Sequence, residues 1–136
     1  MRPFTELASD LKNNNVAAYN FIIPNVCDDM HDVCKSNQIK QGDDWLAQNV
    51  PTILNSSAYQ QAGALFVTWD EADPTGDGPI GMIVLSHFGK GNGYQNFLYY
   101  DHGSTLRTFE EIFGVTPPLN DAAVERDLSD LFAVFP

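Results

Sequence analysis

Residues 65–71 read Leu-Phe-Val-Thr-Trp-Asp-Glu. The run is apolar and β-prone, and it stops abruptly in two adjacent carboxylates. Such a run demands a strand with a buried face, and so a sheet for it to join. Acids at the C-terminal end of a buried strand are also where α/β proteins commonly place ligand and metal sites. Asp73 and Asp77 follow closely and add to the negative charge.

Other segments can be placed around that strand. Phe4, Leu7, Ala8 and Leu11 recur at helical spacing, so a helix is predicted from Phe4 to Asn13, where the Asn13-Asn14-Asn15 run stops it. Ala17 to Ile23 reads as a short strand ended by Pro24, and Pro24 to Gly42 as a long polar loop. Asp43 or Asp44 can cap a helix through Trp45, Leu46 and Val50, with a kink or a second helix (Thr52 to Ser57) enforced by Pro51. Gly63 to Trp69 and Pro79 to Ser86 are strands. The second is continuously apolar and therefore reads as buried on both faces. His87 to Asp101 is a loop containing Gly89, Gly91 and Gly93. Ser104 caps a helix that ends at Phe113 before Gly114, and Asp121 to Phe132 forms a last helix broken near Asp127. This order predicts one α/β domain over residues 1–136, with a mostly parallel sheet covered by helices.

Charge narrows the function. Seven basic against 18 acidic residues give a net charge of −11, with no local basic cluster. That excludes nucleic-acid phosphates as a partner and suits cations or simple solubility. No stretch is long and apolar enough to span a membrane. Met1-Arg2-Pro3-Phe4-Thr5-Glu6 lacks the apolar run of a signal peptide, which predicts a cytoplasmic protein if the chain is complete as written. Cys27 and Cys34 flank Asp28-Asp29-Met30-His31-Asp32-Val33. They could staple this ligand-rich loop as a disulfide or remain thiols. With His31 they lack a zinc spacing.

Four constellations carry candidate chemistry. Asp70 and Glu71 offer hard oxygen ligands for a divalent cation such as calcium, magnesium, manganese or zinc; adjacent strand residues face opposite ways, so both meet one ion only where the strand has ended. Asp73-Pro74-Thr75-Gly76-Asp77-Gly78 resembles the start of a calcium loop, but Val84 stands where the chelating Glu belongs, so an ordinary turn is expected. Asn25, Asp28, Asp29 and His31 follow a predicted strand: an Asp and a His three apart among further oxygens make Asp28 and Asp29 candidate metal ligands and Asn25 a candidate phosphate contact, against the competing reading of a solvated loop. His102 sits beside a helix N-terminus, where an imidazole can meet an anion. Lys90 and Arg107 are the nearby cations, and Arg107 is the candidate phosphate ligand. No nucleophile elbow, Gly-Lys-Ser/Thr phosphate loop or dinucleotide fingerprint is present.

Further stretches fall in a familiar order. They are Tyr19-Asn20-Phe21-Ile22-Ile23-Pro24-Asn25 with Asp28 to Asp32, Gly42-Asp43 with Trp45-Leu46, and Leu65 to Glu71. Gly78 to Ser86, His102 to Gly114, Asp121-Ala122-Ala123 and Asp127 to Phe132 follow. Together they resemble the C-terminal half of the bacterial and fungal phosphoesterase family that contains acid phosphatases and phospholipase C-type enzymes. The resemblance implies a three-layer α/β/α, alkaline-phosphatase-like fold, present in part, and metal-assisted hydrolysis of phosphate esters, whether small molecules or lipid headgroups. By that resemblance Asp70 and Glu71 are metal ligands, and His31, with Asp28 or Asp29, and His102 line the phosphate pocket, where His31 and His102 are the catalytic candidates that stabilise the attacked oxygens or protonate the leaving group. It also implies an extracytoplasmic setting.

The chain departs from the family at several places. The family's first metal-binding pair and its nucleophile belong to an N-terminal half with no counterpart here; Ser104 and Thr105 are the hydroxyls near His102. His87 stands where Pro is expected, and Gly103 where Ser is expected. The expectation is half a site, weakly active or inactive alone, on a chain whose unpaired strand edges drive homo-oligomerisation, as a dimer. The competing expectation is a non-catalytic metal-binding or interaction protein, and a third is a structural domain whose acids serve solubility alone.

Overall fold

The structure is a computed structural model that describes residues 1–35, 37–72 and 78–135. The calcium-loop-like stretch 73–77 therefore lies outside the described residues. The chain divides into two compact units, Met1–Gly63 and Ala64–Pro136.

The first unit is helical. A 3-10 turn, Phe4–Glu6, runs into α1 (Leu7–Lys12), close to the expected helix. Arg2 fastens this start by pairing with Glu6 at 2.7 Å and Asp10 at 2.8 Å. The helix α2 (Gln38–Leu54) begins earlier than Asp43 or Asp44 would set it, because Asn37 is the cap and its side chain accepts from the Lys40 amide. Asp44 instead lies on the exposed face and pairs with Lys40 at 2.6 Å. Pro51 does not end α2. It forfeits one donor, but its carbonyl still accepts from the Asn55 amide at 3.0 Å and the ladder continues. A short helix α3 (Ser57–Gln60) follows, capped by Ser56. Phe4 packs on Trp45 with ring centroids 5.2 Å apart.

Ala17 to Ile23 is not a strand. A strand exists only through a ladder with a neighbour, and among the described residues none pairs here; Phe21 and Ile23 stay largely exposed.

The second unit holds the sheet. Strand β1 (Ala64–Thr68) pairs with β2 (Met82–Ser86), from Ala64 opposite Ser86 to Thr68 opposite Met82. The pairing is antiparallel and the sheet has two strands, so the α/β class holds while the sheet among the described residues is not the mostly parallel one expected. The physical reason lies in the connection. Parallel neighbours need a crossover, usually a helix, and no helix joins β1 to β2 among the described residues.

Helix α4 (His102–Phe113) starts with a reciprocal box. Asp101 accepts from the Ser104 amide at 2.9 Å, and the Asp101 amide donates to Ser104 Oγ at 3.2 Å. Asp101, not Ser104, is therefore the cap, and Gly114 closes the helix at φ 65° as expected. The predicted last helix is two 3-10 turns, Asn120–Ala123 and Ser129–Leu131. The Leu128 amide, which a helix would spend on its own carbonyl ladder, donates instead to the buried Thr108 Oγ1 at 2.8 Å. Asp127 then accepts from the Ser129 amide at 2.7 Å and starts a new turn. Ala122, Leu128 and Phe132 are buried against this unit's interior, and Phe66 meets Phe109 edge-on at 5.2 Å. Among the described residues no helix is long and apolar enough to cross a membrane.

Candidate functional site

The candidate residues fall into two groups, one in each unit. In the first, the loop after Pro24 is closed by a disulfide between Cys27 and Cys34, whose Cα atoms lie 5.6 Å apart. Asn25 Oδ1 accepts from the amides of Cys27 (3.0 Å) and Asp28 (3.2 Å), while its amide donates to Asp28 Oδ2 at 2.7 Å. Asp29 accepts from the His31 amide at 2.9 Å, and His31 Nδ1 meets Asp32 at 2.8 Å. Much of the loop's polar capacity is thus met within the loop.

Helix α2 seats this loop. Gln41 Nε2 donates to the carbonyl of Cys27 and, at 3.4 Å, to that of Asp32; Gln38 donates to the His31 carbonyl at 2.8 Å. Gly42 is buried, and a Cβ there would fall on the Met30 side chain. Gln38 and Gln41 went unnoticed in the sequence because a lone Gln on a helix carries no signature. The early helix start at Asn37 was the clue that would have put both on the face toward the loop.

The second group gathers where β1 ends. Thr68 Oγ1 donates to the Gly81 carbonyl at 2.9 Å, and Trp69 lies over Gly81, where a Cβ would meet its ring at 3.1 Å. Asp70 and Glu71 come next, both exposed and past the last ladder pair, so the alternation that would send them to opposite faces no longer applies. Among the described residues neither carboxylate has a hydrogen-bond partner, whereas the Asp70 carbonyl accepts from His102 Nε2 at 2.7 Å. The strand exit and the first turn of α4 are tied together by that bond.

The anion-binding capacity of the α4 N-terminus is already in use. Asp101 caps it, and a Cβ on Gly103 would lie 2.9 Å from Glu125 Cγ and 3.4 Å from Asp121 Cγ. That crowding explains a glycine where Ser was expected. Arg107 pairs with Glu111 and donates to the Ala122 carbonyl at 3.5 Å. Lys90 pairs with Asp130 at 2.9 Å and lies 4.2 Å from the Tyr94 ring centroid. The Tyr94 hydroxyl, Lys90 and Asn96 hold the Asp130 carboxyl at about 2, well below its ordinary value. This cluster also escaped the sequence reading, since it joins residues far apart in the chain.

A divalent ion fits the strand exit by donor chemistry: two hard carboxylates from consecutive residues, neither bonded to another described residue. They supply only part of a coordination shell. Among the described residues no group of three or more His, Cys, Asp or Glu side chains is arranged to hold a metal.

An α/β unit with paired acids at a strand exit is the setting in which the comparisons with known proteins fall. Residues 1–116 match the Phosphoesterase family, and the chain belongs to it. The phosphatidylinositol-3-phosphatase of Mycobacterium tuberculosis (strain ATCC 25618 / H37Rv) is 28% identical over 127 residues, covering 88% of this chain. The chain spans 40% of the length of that curated relative. No solved structure matches. Membership supports phosphate ester hydrolysis as the chemistry to which this chain is related.

Proposed function

We propose that the chain is the metal-site portion of a phosphate ester hydrolase, with Asp70 and Glu71 holding a divalent cation. The observation that carries this reading is a pair of carboxylates just past a strand end, without hydrogen-bond partners among the described residues, in a phosphoesterase-family chain. When bound, the ion supplies charge neutralisation for a phosphoryl oxygen and a water of lowered pKa. The second unit's own part is to present the two carboxylates and to contribute Arg107 as a lesser polar contact; in the first unit, His31 on its disulfide-closed loop, with Asn25, Asp28 and Asp29, is a separate candidate group. The three-layer alkaline-phosphatase-like architecture is the parent fold we propose. The substrate class is a phosphomonoester, either a small molecule or a lipid headgroup, and the named relative makes a 3-phosphorylated inositol lipid the first to try.

The test is phosphate release from p-nitrophenyl phosphate and from phosphatidylinositol 3-phosphate, with calcium, magnesium, manganese or zinc added in turn. Turnover that needs an ion and is lost in Asp70→Ala supports the reading. Turnover that survives Asp70→Ala refutes it.

One observation favours the alternative of a non-catalytic metal-binding or interaction protein. Ser104, a hydroxyl close to His102 in sequence, is 1% exposed and spent in the helix cap. Ion binding without turnover on either substrate is the outcome that selects this alternative. Self-association is proposed on the exposure of Phe97 (96%) and Tyr99 (80%). A clean monomer by size-exclusion chromatography with light scattering would remove it.

A further inference from the structure

We propose that His102 is a positioning residue: its Nε2–H holds the peptide plane between Asp70 and Glu71, and so sets where both carboxylates stand. This deepens the metal-site reading above and rests on it for its functional meaning.

The bond itself decides the donor. A backbone carbonyl only accepts, so at 2.7 Å His102 Nε2 carries the proton, in the neutral ring and the charged ring alike. The carbonyl of Asp70 lies in the planar unit that joins Asp70 to Glu71. Fixing that oxygen fixes the orientation of the plane from which both side chains depart. The ladder ends with Thr68 opposite Met82, so among the described residues no strand neighbour performs this service.

The base from which His102 reaches is rigid. It is the first residue of α4, directly after the Asp101 cap and within the Asp101–Ser104 box. The next residue, Gly103, is packed against Asp101, Asp121 and Glu125 so closely that a Cβ would meet Glu125 at 2.9 Å. On the other side, Thr68 and Trp69 are fastened to Gly81. A strand exit clamped before the acids and held between them is preorganised, so ordering it costs little when an ion arrives. In this role the imidazole transfers no proton.

The experiment compares wild type, His102→Gln and His102→Ala. A Gln amide nitrogen reaches about as far as Nε2 and donates, but it has no imidazole chemistry. The wild-type ring is read first, without ion, by long-range proton–nitrogen NMR, which should show Nε2 protonated. Backbone nitrogen-15 relaxation then reports on the strand exit, through the Glu71 amide that shares the held peptide plane. His102→Ala should lower the order parameter of that amide from the rigid range toward about 0.6. His102→Gln should restore most of it, while the Val115 amide at the far end of α4 stays unchanged as the folding control. Manganese affinity should follow the same order. An unprotonated Nε2, an unchanged order parameter in Ala, or Gln no better than Ala would each overturn the proposal. A wild type that binds no ion overturns the metal-site reading instead, and the ring and relaxation results still decide whether His102 holds the exit.

Discussion

The loop on α2 and the exit of β1 both collect acids and a histidine, yet they use them in opposite ways. In the loop, Asn25, Asp28, Asp29, His31 and Asp32 bond to one another or to nearby amides, and a disulfide closes the chain around them. At the strand exit the backbone is fastened through Asp70, Thr68 and Gly81, and the carboxylates of Asp70 and Glu71 have no hydrogen-bond partner among the described residues. A loop whose charges are met internally is built to hold its shape. A strand end whose acids have no bonded partner among the described residues, on a fastened backbone, is the one we propose meets a cation. Counting acids in a sequence cannot separate the two; asking which oxygens already have hydrogen bonds can.

The largest effect expected from breaking this contrast is in the loop. Replacing Cys27 and Cys34 together by Ala should cost about 2 kcal/mol, since closing so short a loop restricts the unfolded chain modestly. Urea unfolding measures it, and reduction of the wild type should reproduce it. At comparable size, Thr108→Val should destabilise by about 2 kcal/mol, because the Leu128 amide is left buried without its acceptor. That change strikes the second unit's interior and should leave loop proteolysis unaltered. Asp101→Ala should cost about 1 kcal/mol through the lost cap of α4. If His102 depends on that first turn, the Glu71 amide should lose order as well, as read by nitrogen-15 relaxation.

The smallest effect concerns pH. The Asp130 carboxyl is held at about 2, by Tyr94 first, then Lys90 and Asn96, against an ordinary 3.8. A depressed acid stabilises the fold fully above its unfolded value and loses that contribution as the pH falls through the folded one. The tie between Tyr94 and Asp130 should therefore persist at pH 4 and disappear near pH 2, as read by the Asp130 carboxyl carbon in NMR. Asp130→Asn should abolish the transition.

Much of the local structure was legible in the sequence. The β-prone run with its terminal acids, the α1 periodicity and the glycine closing α4 all act through neighbours in the chain. Sheet direction was misread although its cue was present in the sequence: a short connection carrying Pro74, Gly76, Gly78 and Pro79 offers no crossover helix pattern and so favours antiparallel pairing. The extended reading of Ala17 to Ile23 failed because a strand needs a partner that local sequence does not name. The last helix failed because a side chain twenty residues earlier, Thr108, claims the amide of Leu128. The candidate site was legible as residue types and opaque as partnerships, since Gln41 under the loop and His102 on the Asp70 carbonyl are long-range bonds.

The most direct test of the account is thermal unfolding with and without calcium, magnesium, manganese and zinc, on wild type and on the double variant Asp70→Ala, Glu71→Ala. An ion at a hundredfold above its dissociation constant stabilises the native state by about 2.7 kcal/mol, a shift of several degrees. The account predicts that shift in wild type for at least one ion and its loss in the double variant. No shift with any ion, or an equal shift in the variant, would contradict it.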